Sequence, residues 1–410
     1  MKIKHLLFML AVFSLLLVGI MPVWAACPAN LTDNIITPVF GYEVSYTNDN
    51  TDGDFISDAD AQDVADALDA THQAYLDLGF QAPFFVGGNR EVCIYDSSDT
   101  GGADFCTISL DSPALGGQAE TCLRLVSDHE QFHHVQYSYI NGGSTSCGGC
   151  SGTWGQWTCE GMARLMQDKV WLDLDQDAGC ITYLNEIAVY LGSPNTTLTS
   201  ASYRGALFWN YLTEQLGTVN VEPQIGVDVI EAYWANTDPS APDSFQVLRD
   251  TVGDFTARSL EDVFQDFTIA NYTKGLDVSG VANSDRYFYI DETIAGGGST
   301  YAPVSTSIVN FAAAMSPSTV NDWAARYFEV NIVDTGQRCD IIGFRGEAAS
   351  DEDDLGWTFI GIKASNEVTE LHKGRGSSFY KAFINDPADP FVKIAAVVTG
   401  LGDGGSFNYV

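Results

Sequence analysis

Between Asp60 and Leu78 the apolar positions Val64, Leu68, Tyr75 and Leu78 recur close to helical spacing, which predicts an amphipathic helix. Strand-like runs follow at Phe84-Phe85-Val86 and Val92-Cys93-Ile94-Tyr95. A helix is then expected from about Thr121 to Ile140, ended by Asn141-Gly142-Gly143, and a second from about Trp157 to Leu172. Helical periods return over 181–191, 202–216, 225–235 and 259–273. Beyond Gly296-Gly297-Gly298 the pattern changes to short alternating runs broken by Gly, Asp and Asn, as in Tyr327–Ile332, Trp357–Ile362 and Val392–Thr399. Such runs predict a β-sandwich over 300–410, joined by a Gly-rich linker to a mixed domain over 26–290. The expected class is therefore α+β, with no internal repeat of 20–50 residues.

The first 25 residues stand apart. A basic start at Lys2 and Lys4, an apolar run from Leu6 to Ile20 and the small-residue pattern Val23-Trp24-Ala25 read as a secretory signal peptide. The apolar run falls short of the roughly 20 residues that span a bilayer, so no membrane insertion is expected once the signal is removed. Cleavage after Ala25 would leave Cys27 second in the mature chain, where lipoprotein anchoring is a further option. The formal net charge is −35, and a surface this acidic repels nucleic acid and anionic headgroups. Nine cysteines in an exported, bacterial-type chain point to disulfides rather than ligands, and setting Cys27 aside leaves eight, enough for four bridges. The expected location is outside the cytoplasm, secreted or in the cell envelope. Oligomeric state is not legible in the sequence.

Of six histidines, three fall in His129-Glu130-Gln131-Phe132-His133-His134. Residues four apart share a helix face, so His129 and His133 can present ring nitrogens to one metal ion. Glu130 lies beside them, placed to take a proton from water; this is the mechanical content of HExxH. Catalytic zinc takes three protein ligands and keeps a position open. The third candidate is Glu160, 27 positions after His133 on the next predicted helix; the alternative is an acid favoured by that helix's N-terminal dipole. His134 faces away from the pair and is expected to support the site or pack against the core.

These residues resemble the gluzincin branch of zinc peptidases, in which HExxH is followed by a Glu in a Glu-Gly-x-Ala setting, here Glu160-Gly161-Met162-Ala163. The segment from Tyr203 to Leu212 is similar to the Tyr-bearing segment of aminopeptidase N-type enzymes, and the resemblance would give Tyr203 the stabilisation of the oxyanion. The alternative is a tyrosine packed on an amphipathic helix. Most of the mature chain resembles secreted bacterial metalloproteinases of the myxobacterial type. Those have an Asp/Asn-rich loop before a helix, then HExxH, then a Trp-x-x-Glu helix and a closing β-sandwich. The resemblance implies a zincin-like fold, Zn²⁺ as cofactor and a protein or peptide substrate. No Gly-x-Met-Glu-Asn motif for anchoring a terminal amine occurs, which favours an endopeptidase.

A second, weaker metal reading falls on the acidic loop, where Asn50, Asp52, Asp54, the Ile56 carbonyl and Asp58 alternate as Ca²⁺ ligands do in EF-hand-like loops. The alternative there is an acidic turn capping the following helix. For the chain as a whole the rival to a hydrolase is a secreted or surface binding protein, in which the β-sandwich does the work and the zincin domain is degenerate. A metal hydrolase acting on an ester or non-peptide amide is the third possibility.

Overall fold

The computed structural model describes residues 27–49, 53–97, 101–115, 120–140, 150, 154–171, 183–240, 243–290, 301–309, 318–332, 341–347, 354–384, 386, 388–402 and 405–409. The signal segment, the Gly296–Gly298 linker and most of the 141–155 loop lie outside these residues. The chain is mixed α+β with a β-rich C-terminal part, and it divides into two compact units: residues 1–72 with 82–149, and 73–81 with 150–410.

In the first unit a five-stranded sheet has the order β1-β2-β3-β5-β4, from β1 (Asp33–Ile36), β2 (Glu43–Tyr46), β3 (Glu91–Tyr95), β4 (Gly101–Ala103) and β5 (Thr107–Asp111). The β2–β3 and β3–β5 pairs are parallel, and the edge pairs β1–β2 and β4–β5 are antiparallel. Helix α1 (Asp58–Asp77) connects β2 to the second half of the sheet. Ser57 starts it: its hydroxyl caps the helix by accepting from Asp60 N at 3.1 Å, and it donates to the Asp60 carboxylate at 2.8 Å. The short α2 (Ser112–Leu115) precedes α3 (Glu120–Ile140). Val64 and Leu68 of α1, Val92 and Ile94 of β3, Ile108 and Leu110 of β5 and Leu123 of α3 share one buried cluster, so both long helices pack on the sheet. Phe84–Val86 is not a strand. Gly87 (φ 78°) and Gly88 (φ 80°) bend the chain in a left-handed conformation that Cβ-bearing residues avoid, and the run ends in a 3₁₀ turn.

The second unit holds α4 (Gln156–Val170), α5 (Tyr183–Gly192), α6 (Ala206–Leu216), α7 (Val227–Ala235), α8 (Ser244–Phe255) and α9 (Leu260–Thr273). Helix α8 goes beyond the sequence reading. Asp243 caps it, accepting from Gln246 N at 3.0 Å, and Val247, Leu248, Thr251 and Val252 are buried. The strands are β6 (Ser307–Ile308), β7 (Ser318–Asn321), β8 (Ala324–Asn331), β9 (Ile341–Glu347), β10 (Leu355–Lys363), β11 (Val368–Arg375), β12 (Ser378–Ile384), β13 (Phe391–Gly400) and β14 (Ser406–Tyr409). Five form a sheet of order β11-β10-β13-β8-β6, with two-stranded ladders β12–β9 and β14–β7 beside it. Every residue of β10 is buried, so this strand is covered on both faces instead of alternating with solvent. One side meets α9, where Gln265 Nε2 donates to Trp357 O at 3.1 Å; elsewhere Phe359 packs with Phe383 and Phe391.

The disulfides include Cys27–Cys93 and Cys150–Cys159, and Cys106 and Cys122 are also disulfide-bonded. Disulfides persist in oxidising compartments, which agrees with an extracytoplasmic setting. Pairing with Cys93 corrects the option of lipoprotein anchoring at Cys27, because a sulfur bonded to another sulfur cannot also carry a lipid thioether. It also corrects the separation of Cys27 from the other eight. Among the described residues no helix is long and apolar enough to cross a membrane.

Candidate metal centre

Helix α3 is buried almost all round. Leu123, Phe132, Val135, Ser127, Asp128, Gln131, His134 and Gln136 have no exposed surface, while His129, Glu130 and His133 retain 4%, 6% and 5%. The His129 and His133 rings lie one turn apart, centroids 4.9 Å from each other and planes at 89°. His133 Nδ1 is 2.8 Å from Gln136 Oε1, which can only accept, so the proton sits on Nδ1 and the Nε2 lone pair is directed elsewhere. That tautomer suits a metal-ligating imidazole. Tyr137 lies beyond, its ring stacked at 18° to that of His133 and its hydroxyl donating to Ala103 O at 2.8 Å.

His134 has a packing role. Nδ1 contacts Phe84 O at 2.7 Å, Nε2 lies 3.3 Å from Thr107 O, and Phe85 stacks on the ring at 3.7 Å. Burial pushes its pKa down to about 3, so the ring is neutral and donates through one nitrogen; the shorter contact marks Nδ1. Gln131, the first variable residue of the motif, makes a second tie. Its Nε2 donates to Leu68 O at 3.0 Å and to Tyr42 Oη at 2.5 Å, and Tyr42 in turn donates to His72 Nδ1 at 2.9 Å. The sequence reading missed this chain because Tyr42, His72 and Gln131 lie far apart in sequence.

Helix α4 carries Glu160 on its first turns. Cys159 is bonded to Cys150 and is unavailable as a ligand, and Thr158 Oγ1 donates to Trp154 O at 2.6 Å. Close approach of backbones sets where this helix lies. A Cβ on Gly161 would sit 3.2 Å from Ala206 N, and one on Gly205 would sit 2.8 Å from Trp157 O. The glycines of Glu160-Gly161 and Arg204-Gly205 thus let α4 rest directly on the turn before α6, a turn that includes Tyr203. Tyr203 is 37% exposed, and the guanidinium of Arg164, one turn after Glu160, lies 5.0 Å over its ring.

His129, His133 and Glu160 form a group that could hold a metal ion, with one ligand atom from each and all three within 4.8 Å of one another. Two buried imidazole nitrogens and the oxygen of a half-buried carboxylate are a donor set suited to a divalent ion with a position left open. Cys27, Glu91 and Cys93 also cluster, but their two sulfurs are joined to each other and cannot ligate. In the acidic loop, Asn50 and Asp52 lie outside the described residues. Asp54 Oδ1 accepts from Asp96 N at 2.7 Å, Asp58 Oδ1 accepts from Tyr46 Oη at 3.1 Å and Asn48 Nδ2 at 3.0 Å, and Ile56 is buried.

No family model matches the chain, and no curated protein matches it. Among solved structures it is similar to the pre-peptidase C-terminal domain of collagenase from Bacillus anthracis. That likeness has 12% identity over 27% of this chain and 97% of that domain, with a TM-score of 0.18, too slight to bear on fold or function.

Proposed function

We propose that this chain is a zinc-dependent hydrolase of the gluzincin kind, with a peptide or protein substrate and endopeptidase action, exported as the secreted myxobacterial-type metalloproteinases it resembles. The observation that carries the reading is the grouping of His129, His133 and Glu160 with Glu130 between the two histidines on one helix. In this reading the domain is zincin-like, its ligands are His129, His133 and Glu160, and its general base is Glu130. Zinc, when bound, supplies Lewis acidity to the carbonyl under attack and lowers the pKa of water at the site to near 7.

The residues divide the remaining work. Glu130 accepts a proton from the attacking water as the new C–O bond forms, and returns it to the leaving nitrogen as the C–N bond breaks. Gln136 holds the His133 tautomer. Tyr203 donates its hydroxyl to the oxygen that gains negative charge, an interaction often worth several kcal/mol. The sheet-edge strand β4 runs beside α3, touching it through Ala103 and Tyr137, and an extended peptide can add to such an edge by main-chain hydrogen bonds. This supports a peptide over a small ester.

The test is hydrolysis of casein or gelatin by the purified mature protein beside Glu130→Gln. Activity in the wild type and its loss in the variant supports the hydrolase. Equal behaviour of the two proteins favours the binding-protein alternative.

A further inference from the structure

We propose that Gly101 is a positioning residue for the Glu130 carboxylate, and that the lack of a side chain at this one strand position sets where the base points. The inference rests on the reading of Glu130 as general base. A Cβ on Gly101 would stand 2.7 Å from Glu130 Oε1, 3.1 Å from Glu130 Cγ and 3.1 Å from Val126 Cγ1. Carbon and oxygen do not approach to 2.7 Å without something moving. At the next residue, Gly102, the same construction meets nothing within 4 Å. Of the two glycines only the first faces α3, and there an added Cβ meets the side chain of the HExxH glutamate and, beside it, Val126.

Two attachments keep β4 from retreating. Gly101, Gly102 and Ala103 pair in register with Leu110, Ser109 and Ile108 of β5, and Tyr137 Oη holds Ala103 O at 2.8 Å. Val126, Glu130 and Tyr137 sit at helical spacing on α3, so one helix face meets the strand at both ends. With the backbone fixed on both sides, the flexible end of Glu130 is what yields to an added methyl group. A small displacement of a base costs far more in rate than in stability, on the order of 100-fold for about 1 Å.

The test compares Gly101→Ala, Gly102→Ala, Glu130→Asp and Gly101→Ala/Glu130→Asp, with metal content, thermal unfolding, kinetics and a crystal structure of Gly101→Ala. Gly101→Ala should fold and keep its metal while kcat falls about 100-fold and KM stays within about two-fold. Gly102→Ala should match the wild type. The aspartate side chain is shorter by one methylene and has no atom at the Oε1 position 2.7 Å from the methyl, so adding Gly101→Ala to Glu130→Asp should cost little more. The crystal structure should show the Glu130 carboxylate displaced. The proposal is overturned by a Gly101→Ala protein that fails to fold, by wild-type kcat in that variant, by multiplicative losses in the double variant, or by an unmoved carboxylate. If Glu130→Gln hydrolyses substrate as the wild type does, the hydrolase reading fails instead, and the crystal structure still decides what Gly101 does.

Discussion

Replacing His72 by glutamine removes the titrating end of the buried chain that runs from Leu68 O through Gln131 and Tyr42. The amide oxygen of the introduced side chain could still accept from Tyr42 Oη, as His72 Nδ1 does at 2.9 Å. What is lost at neutral pH is the stacking of Phe40 on the imidazole, centroids 3.8 Å apart and planes at 8°, about 1 kcal/mol. What is gained is freedom from protonation. Burial, and next the Arg90 guanidinium, push the His72 pKa from 6.5 down to about 4, against the smaller opposing pull of Asp69. Because the folded value lies below the unfolded one, the unfolded chain binds the proton first as pH falls. The stability from this group is complete above pH 6.5 and is lost between 6.5 and about 4. At about 1.4 kcal/mol per pH unit the loss amounts to about 3 kcal/mol. Urea unfolding followed by tryptophan fluorescence from about pH 7.5 to about pH 4 should find His72→Gln less stable at the neutral end. The two curves should cross near about pH 6, with the variant ahead by about 2 kcal/mol at about pH 4. Parallel curves across the whole range would refute the assignment of a neutral, buried His72.

Tyr203→Phe should lower kcat by about 10- to 100-fold with metal content and unfolding temperature unchanged, measured by peptide kinetics and metal analysis. Gly205→Ala should destabilise the second unit by about 1–3 kcal/mol, because its methyl group meets the Trp157 carbonyl and backbone, not a flexible side chain, must give. Thermal unfolding reads that loss, and a Gly253→Ala control, with nothing within 4 Å of the added atom, should be spared it.

Much of the candidate centre was legible because its chemistry is local. Two histidines four apart and a glutamate between them need only a helix, and Glu120–Ile140 supplies one within a residue of the expected start. Glu160 was harder to read, since nothing in spacing alone brings a residue 27 positions downstream to the same metal. Its Gly161 neighbour was the usable signal, and the reason for that glycine is the backbone of the turn before α6. Helix α8 is weakly marked in the sequence although Asp243 caps it, because its buried positions fill barely two turns. The burial of both faces of β10 comes from α9 and from aromatic residues of neighbouring strands, which no alternation within the strand encodes. Cysteine pairing is likewise a tertiary property, and Cys27 found Cys93 across 66 residues. Nothing local in the sequence marks Gly101; its neighbour, the Glu130 side chain, comes from the packing of β4 against α3.

Metal stoichiometry is the most direct test of the central claim. The purified wild-type chain, Glu130→Gln, His133→Ala and Glu160→Gln would be loaded with Zn²⁺, dialysed against a weak chelator and analysed for bound metal. One zinc per chain in the wild type and in Glu130→Gln, with loss in His133→Ala and Glu160→Gln, is the result expected of a His129–His133–Glu160 centre. No bound zinc in the wild type, or the same zinc content in all four proteins, would contradict it.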